Sequence, residues 1–180
     1  MHRGKRERDQ ERSAKAPASV ATAITSVQRS SVCCAFDVDI DESNMNKWIV
    51  GFPKETFIPE YPDLYHDLES WAYHTKKPAS VVLELTFPPQ YPRVPPFARV
   101  VRPRFQFHTG HVTVGGSICT SILTSDGWRP DMSGEALLMM LQTTLMDGKG
   151  RVERHNPYDY TEKEAREAFM RVAKDHGWSV

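Results

Sequence analysis

The residue in this chain best suited to covalent chemistry is Cys119, which follows two adjacent glycines and lies far from the other two cysteines. A cysteine thiolate is a strong nucleophile and forms covalent intermediates. Gly115 and Gly116 lose more conformational freedom on folding than other residues would, so a backbone bend is expected beside the thiol. Free cysteines are nevertheless usually buried core residues. The surrounding sequence must therefore decide between a structural and a chemical role for Cys119.

Two histidines upstream, His108 and His111, allow two further interpretations of the cysteine. Zinc accepts imidazole and thiolate ligands, so a metal site could combine these residues with Cys33 or Cys34. The chain lacks the paired Cys-x-x-Cys spacing typical of zinc sites. A thiol hydrolase would instead pair Cys119 with His111 and cleave a thioester or isopeptide bond. Nothing else in the sequence supports either site, so neither a metal nor another cofactor is expected.

Length and charge predict one domain preceded by a charged tail. The 180 residues suffice for a single core, and Lys+Arg and Asp+Glu both number 23. A neutral chain gives no reason to expect a nucleic acid or an anionic membrane as partner. Residues 1–16 are densely charged and are expected to be a flexible tail, which leaves residues 17–180 as the folded domain.

The lengths of the apolar runs and the number of cysteines indicate in which cellular compartment the protein is expected. No apolar run approaches the roughly 20 residues of a membrane span, and no secretory signal is recognised. Three cysteines, two of them adjacent, make a poor disulfide framework. A reducing intracellular setting, cytoplasm or nucleus, is therefore expected.

Alternating apolar residues predict four strands. The first is expected from Val32 to Ile40, with Cys34 directed inward and Cys33 outward. The other three are expected at Trp48 to Phe52, around residues 81–87, and at Phe97 to Val101. Because the connections are short, the strands should form an antiparallel meander.

Helical spacing predicts a helix before the sheet and another inserted within it. The N-terminal helix is expected to start near Pro17, and the inserted helix to occupy about residues 60–74. Their inward positions are predicted as Val20, Ala23, Ile24 and Val27 in the first, and Tyr61, Leu64, Tyr65, Leu68 and Trp71 in the second. Whether the inserted helix shields a site or docks a partner stays open.

Two more helices are predicted after Cys119. The first is capped by Ser133 and ends at Gly148, and because it is hydrophobic almost all round it should be a buried central helix. Its apolar residues are Leu137, Leu138, Leu141 and Leu145, with Met139 and Met140 on other sides. The last begins at a Thr161–Glu164 capping box and ends at Gly177. The sequence thus predicts an α+β domain.

Three motifs in order and spacing resemble those of the ubiquitin-conjugating enzymes. They are Phe-Pro-Pro-Gln-Tyr-Pro-Arg-Val-Pro-Pro at residues 87–96, Gly-Ser-Ile-Cys at 116–119 and Trp-Arg-Pro at 128–130. The inserted helix, residues 102–111 and the ending His-Gly-Trp at 176–178 are most similar to the Q-type subgroup. The resemblance covers roughly residues 17–180 and implies the fold of that family.

This resemblance implies that Cys119 accepts ubiquitin, or a ubiquitin-like protein, as a thioester from an activating enzyme and passes it to an amine or hydroxyl. Most family members have a His-Pro-Asn motif ten to eight residues before the cysteine, and its asparagine stabilises the developing oxyanion. Here Thr109, Gly110 and His111 occupy those positions. His111 would either donate a ring N–H to the oxyanion or only brace the loop.

The resemblance also implies a ligase-binding surface that differs from the usual one. The residue after Tyr-Pro92 is often large and apolar, but here it is Arg93, whose burial in a RING groove without a partner would be costly. After the Trp128 to Pro130 motif, Asp131 replaces a small residue. A specialised ligase is therefore a better candidate partner than a generic RING ligase.

A different class of function keeps the fold without the chemistry. An inert ubiquitin-binding module would have lost the capacity for charging, and the missing His-Pro-Asn motif favours it. The presence of Cys119 in its motif argues against it. Formation of an adduct that reducing agents destroy would separate the two.

Overall fold

The computed structural model describes residues 19–30, 35–40, 43–57 and 61–179. The predicted tail, Pro17, Cys33 and Cys34 lie outside these residues. The elements in chain order are α1 (Val20–Arg29), β1 (Asp37–Ile40), β2 (Lys47–Pro53), α2 (Pro62–Thr75), β3 (Ser80–Thr86), β4 (Phe97–Arg102), α3 (Gly134–Asp147) and α4 (Glu162–His176). Short 3-10 helices lie at Lys54–Phe57 and Ser121–Leu123.

The four strands form one antiparallel sheet in the order β1-β2-β3-β4, which confirms the predicted meander. The first strand is shorter than predicted, because Ala35 and Phe36 lie before it. Asp37 pairs with Gly51, so continued pairing would bring Ala35 opposite Pro53, which has no amide proton to donate. Phe36 instead turns into the core and meets the edge of Phe52, with ring centroids 4.8 Å apart.

One face of the sheet is apolar across β2, β3 and β4. Trp48 pairs with Leu85, Leu83 pairs with Val100, and all four side chains are fully buried. They share one hydrophobic cluster with the four predicted leucines of α3. The expectation that α3 is a buried helix, apolar almost all round, is wrong for one face of it. Ala136, Met139, Thr143 and Asp147 form an exposed stripe, and Met139 is 43% exposed.

Helix α1 crosses α3 at close range. A Cβ atom added to Gly134 would lie 2.4 Å from the carbonyl oxygen of Ala23, so only glycine permits this approach. Ala23 and Val27 are buried there, as predicted. The helix begins after Ser19, whose hydroxyl accepts a hydrogen bond from the amide of Thr22 at 3.1 Å.

Helix α2 is the helix inserted between β2 and β3. Pro62 is its first residue, and Leu64, Leu68 and Trp71 are buried, as the spacing predicts. The indole N–H of Trp71 donates to the carbonyl of Asn156 at 2.8 Å. The helix is therefore part of the core and joins the sheet to the chain that follows α3.

Helix α4 has the predicted capping box. The Thr161 hydroxyl accepts from the amide of Glu164 at 3.2 Å, and the Glu164 carboxylate accepts from the amide of Thr161 at 2.8 Å. Arg104 donates to the same carboxylate at 3.0 Å. The Thr161 amide and hydroxyl, helped by Arg104, hold the pKa of Glu164 at about 2.

The Glu164 carboxylate makes the free energy of unfolding depend on pH. Its pKa is lower in the folded chain than its ordinary value of 4.5, so it stabilises the fold above that pH and loses this effect as the pH falls toward 2. Glu164→Gln should lower the free energy of unfolding at pH 7 by about 1 kcal/mol or less, because water screens this partly exposed site. The deficit relative to wild type should shrink as the pH falls below about 4.5.

Thermal unfolding of both proteins between pH 7 and pH 3 measures the effect. Glu162→Gln is the control, since Glu162 lies in the same turn and pairs with Arg166 at 2.7 Å without capping the helix. A deficit for Glu164→Gln that is the same at pH 3 as at pH 7 would contradict the expectation.

Candidate functional site

Cys119 lies at the end of a tight hairpin whose other arm carries His111. Val112 and Ile118 form an antiparallel bridge, and the amide of Thr113 donates to the carbonyl of Ser117 at 2.9 Å. The hydroxyls of Thr113 and Ser117, both buried, are 2.7 Å apart and bonded. The hairpin therefore sets two positions eight residues apart in sequence directly opposite each other.

The contact between the two arms at that point is a backbone hydrogen bond. The amide of Cys119 donates to the carbonyl oxygen of His111 at 2.7 Å. His111 has a φ of 52°, in the left-handed region, and its side chain is exposed. Among the described residues, no group forms a hydrogen bond with the His111 imidazole. The backbone of His111 thus braces the cysteine, whereas its ring is left to solvent.

The two glycines of the hairpin are required by the helix packed against it. A Cβ atom on Gly115 would lie 2.2 Å from the carbonyl oxygen of Glu164, and one on Gly116 would lie 2.5 Å from the ring of Tyr160. Gly116 also has a φ of 94°, which side chains rarely tolerate. The predicted bend near Cys119 is present, and its reason is close contact with the start of α4.

Cys119 is partly buried and is not sealed from solvent. Burial raises the pKa of its thiol, because a thiolate is poorly solvated there. The thiol is therefore mainly protonated at neutral pH. Attack by this sulfur consequently requires that its proton be removed before the new bond forms or as it forms.

An apolar cavity of about 510 Å³ borders the cysteine segment. Its walls come from the proline-rich turn, the start of β4, the chain on either side of Cys119, and α4. They include Pro96, Phe97, Ile118, Leu123, Phe169 and Met170. The segment that carries the thiol therefore forms one wall of this cavity.

The two predicted partner-binding loops are joined by Trp128. Its indole N–H donates to the carbonyl of Pro92 at 2.6 Å, and the side chain is only 7% exposed. Arg93 and Pro130 are exposed on the joined surface. Asp131 is exposed as well and forms an ion pair with Arg129 at 3.2 Å. Trp128 therefore holds this surface together from within.

The zinc interpretation lacks a ligand set in the described part of the chain. No group of three His, Cys, Asp or Glu residues there could hold a metal ion. His108 is exposed with a φ of 59°, and its ring centroid lies 3.8 Å from that of Phe107. Cys33 and Cys34, the other proposed ligands, fall outside the described residues.

The loop that leads into His111 is held by the chain that follows α3. The amide of Gly110 donates to the carbonyl of Gly148 at 2.7 Å, and that of Gln106 donates to the carbonyl of Arg151 at 2.8 Å. The Thr109 hydroxyl donates to the same Arg151 carbonyl at 3.1 Å. These contacts were not predicted, because no periodic signal in the sequence relates residues about 40 positions apart.

The part of the chain that carries this site is similar to known sequences. A sequence model of the family described as "Ubiquitin-conjugating enzyme" matches residues 77–176. A Drosophila melanogaster protein named as a Q-like ubiquitin-conjugating enzyme is 36% identical over 104 residues, which are 55% of this chain and 33% of the fly protein. Human ubiquitin-conjugating enzyme E2 Q1 is 34% identical over 148 residues, 79% of this chain and 33% of the human protein. The chain thus spans about a third of the length of these two relatives.

The fold is similar to that of a solved structure. A ubiquitin conjugating enzyme E2 of Plasmodium vivax superposes with a TM-score of 0.53 at 21% identity, covering 70% of this chain and 97% of that one. None of the helices in the described residues has the length and hydrophobicity that a membrane-spanning segment needs. The family match includes the whole hairpin from His111 to Cys119, and relatives of the Q type align with most of the sequence. This chain therefore belongs to the ubiquitin-conjugating enzyme family, in its Q-type subgroup.

Proposed function

We propose that Cys119 carries ubiquitin, or a ubiquitin-like protein, as a thioester and transfers it to a substrate amine or hydroxyl. The observation that carries this proposal is the partly exposed thiol at the end of a rigid hairpin, inside the segment that matches the family. A thiol retained only for packing would have no need of solvent access. The inert-module alternative gains no comparable support.

The chemistry divides into two acyl transfers. In the first, the Cys119 sulfur attacks the carbonyl carbon of the activated C-terminus, the bond to the activating enzyme's sulfur breaks, and the Cys119 proton passes to that leaving group. In the second, a substrate amine attacks the new thioester, a C–N bond forms and the C–S bond breaks. The amine gives up a proton, and the Cys119 thiol is regenerated.

The proposed role of His111 is to donate a ring N–H to the oxygen that becomes negative in the second step. Its backbone is held beside the cysteine at 2.7 Å, while its ring has no described hydrogen-bond partner. A ring committed to the loop would have been held by neighbouring groups. Because the backbone is already fixed, only the side-chain torsions of His111 have to be ordered for the ring N–H to reach the oxyanion.

The proposed partners are an activating enzyme, the carried protein and a specialised ligase. The ligase would contact the surface of Arg93, Pro130 and Asp131, which the bond from Trp128 to Pro92 holds together. A groove built for a large apolar side chain would leave the Arg93 charge unpaired, so the ligase should present an acidic group there.

A charging assay tests the proposal. The chain is incubated with ubiquitin-activating enzyme, ATP and ubiquitin, and the products are separated with and without a thiol reducing agent. We expect an adduct of one ubiquitin per chain that the reducing agent destroys. If ubiquitin and the ubiquitin-like proteins all fail to form such an adduct with folded chain, the inert-module alternative replaces the proposal.

A further inference from the structure

A carboxylate is buried in the core on the inserted helix α2. Asp67 lies on the apolar face of that helix, next to Leu68, and is fully buried. A charge removed from water destabilises the fold unless other groups pair with it. Asp67 must therefore have a specific set of partners, and these show what the helix holds.

Those partners all come from one short segment after α3. The Arg151 guanidinium donates to Asp67 through Nε at 2.7 Å and Nη2 at 3.2 Å. The amide of Val152 donates at 3.2 Å, and Nε of Arg154 donates at 2.7 Å. Burial by itself would raise the pKa of Asp67, but these donors hold it below its usual value, so the carboxyl is ionised at neutral pH.

The same segment contacts the loop that leads to His111 with its backbone. The Arg151 carbonyl accepts from the amide of Gln106 and the hydroxyl of Thr109, and the Arg151 amide donates to that hydroxyl at 3.1 Å. Val152 bridges to Phe105. Arg151 therefore faces two ways: its side chain binds α2 and its backbone binds the loop.

The contacts continue without a gap to the thiol. The Gly110 amide is bonded to Gly148, and Gly148 lies so close that a Cβ atom there would come 2.4 Å from the amide nitrogen of His111. The His111 carbonyl then accepts the Cys119 amide. No freely rotating side chain interrupts the connection between Arg151 and the hairpin.

We propose that Asp67 is a positioning residue for thioester discharge: through Arg151 it fixes the 105–111 loop, and thereby His111 and Cys119. This inference rests on the proposed function and deepens it, since it gives the inserted helix a role. Asp67 touches no reacting atom. Its contribution is to hold the geometry of two groups whose displacement by about 1 Å can slow a reaction roughly a hundredfold.

Asp67→Asn tests the link, because asparagine has nearly the same shape and lacks the charge that Arg151 and Arg154 pair with. The stability control is Leu68→Ala, which opens a cavity at the adjacent buried position and leaves the pairing intact. The helix control is Glu69→Gln, which removes an ion pair of α2 with Lys54 that does not reach the loop. All variants are compared at one temperature at which each is folded, because exchange and discharge rates depend on temperature.

Two readouts are used, and one needs no activity. In amide hydrogen exchange, the Gly110 and Cys119 amides should exchange at least about tenfold faster in Asp67→Asn than in Leu68→Ala. In single-turnover discharge to free lysine, Asp67→Asn should be slowed about tenfold or more, with charging changed less than about twofold. Glu69→Gln should match wild type in both. A purely structural role predicts parallel losses in Asp67→Asn and Leu68→Ala.

A milder variant covers the case in which Asp67→Asn does not fold. Arg151→Lys keeps the charge and the backbone contacts but loses the bidentate contact with Asp67. It should also speed exchange of the Gly110 and Cys119 amides and slow discharge, with smaller changes than Asp67→Asn. Unchanged exchange of the Gly110 and Cys119 amides, or faster exchange with normal discharge, would overturn the inference. If the wild-type chain forms no thioester, the proposed function fails while amide exchange still decides whether Asp67 orders the loop.

Discussion

Replacing Cys119 by serine is expected to abolish the adduct that reducing agents destroy. A serine hydroxyl is a weaker nucleophile than a thiol and forms an ester, which thiol reagents do not cleave at neutral pH. The variant should therefore yield at most a stable oxyester and no detectable transfer to lysine. Gel separation of charging reactions with and without reducing agent, followed by alkali treatment, measures this.

The matched control for this variant is Cys119→Ala, which should form no adduct of either kind. Circular dichroism and thermal unfolding must first show that both variants fold, since the thiol is partly buried. A reducible adduct that persists in Cys119→Ser would place the thioester on Cys33 or Cys34, the other two cysteines. That result would remove the basis of the proposed site.

Removing the His111 side chain is expected to have the second largest effect. If its ring N–H stabilises the oxyanion, His111→Ala should charge normally and discharge to lysine on the order of a hundredfold to a thousandfold more slowly. Charging should be spared because the proposed N–H donor acts in the second transfer. Pulse-chase discharge of purified thioester into free lysine separates the two steps.

Backbone conformation must be controlled in this experiment. His111 has a φ of 52°, in the left-handed region. Histidine and asparagine occur there more readily than alanine does, and glycine adopts this conformation without strain. His111→Gly keeps the conformation without a donor and should discharge as slowly as His111→Ala. His111→Asn supplies an amide N–H and should recover part of the rate. Discharge of His111→Gly at the wild-type rate would leave His111 with only its backbone role.

Local signals in the sequence predicted most of the elements. The Thr161–Glu164 box, the Ser133 cap and the terminal Gly177 set helix ends through short-range hydrogen bonds, and the structure has all three. Alternation likewise predicted the meander. The start of β1 was wrong because it depends on which residue of β2 lies opposite, here Pro53, and pairing partners are not encoded locally.

The site was predicted less completely than the fold. Motif spacing indicated Cys119 and His111, and the structure brings their backbones together at 2.7 Å. The reason for Gly115 and Gly116 was not predictable, because it is a contact with a helix about 50 residues later. Asp67 has a signal in the sequence, because it lies three residues after Leu64 and four before Trp71, on the buried face of α2.

The most direct test of the central claim is intact-mass spectrometry of the charged wild-type chain, followed by peptide mapping under non-reducing conditions. The predicted result is a mass increase of one ubiquitin less one water, lost on adding a thiol, with the ubiquitin C-terminal fragment linked to the peptide that contains Cys119. An adduct mapped to any other residue, or none on folded chain with active activating enzyme, would contradict it.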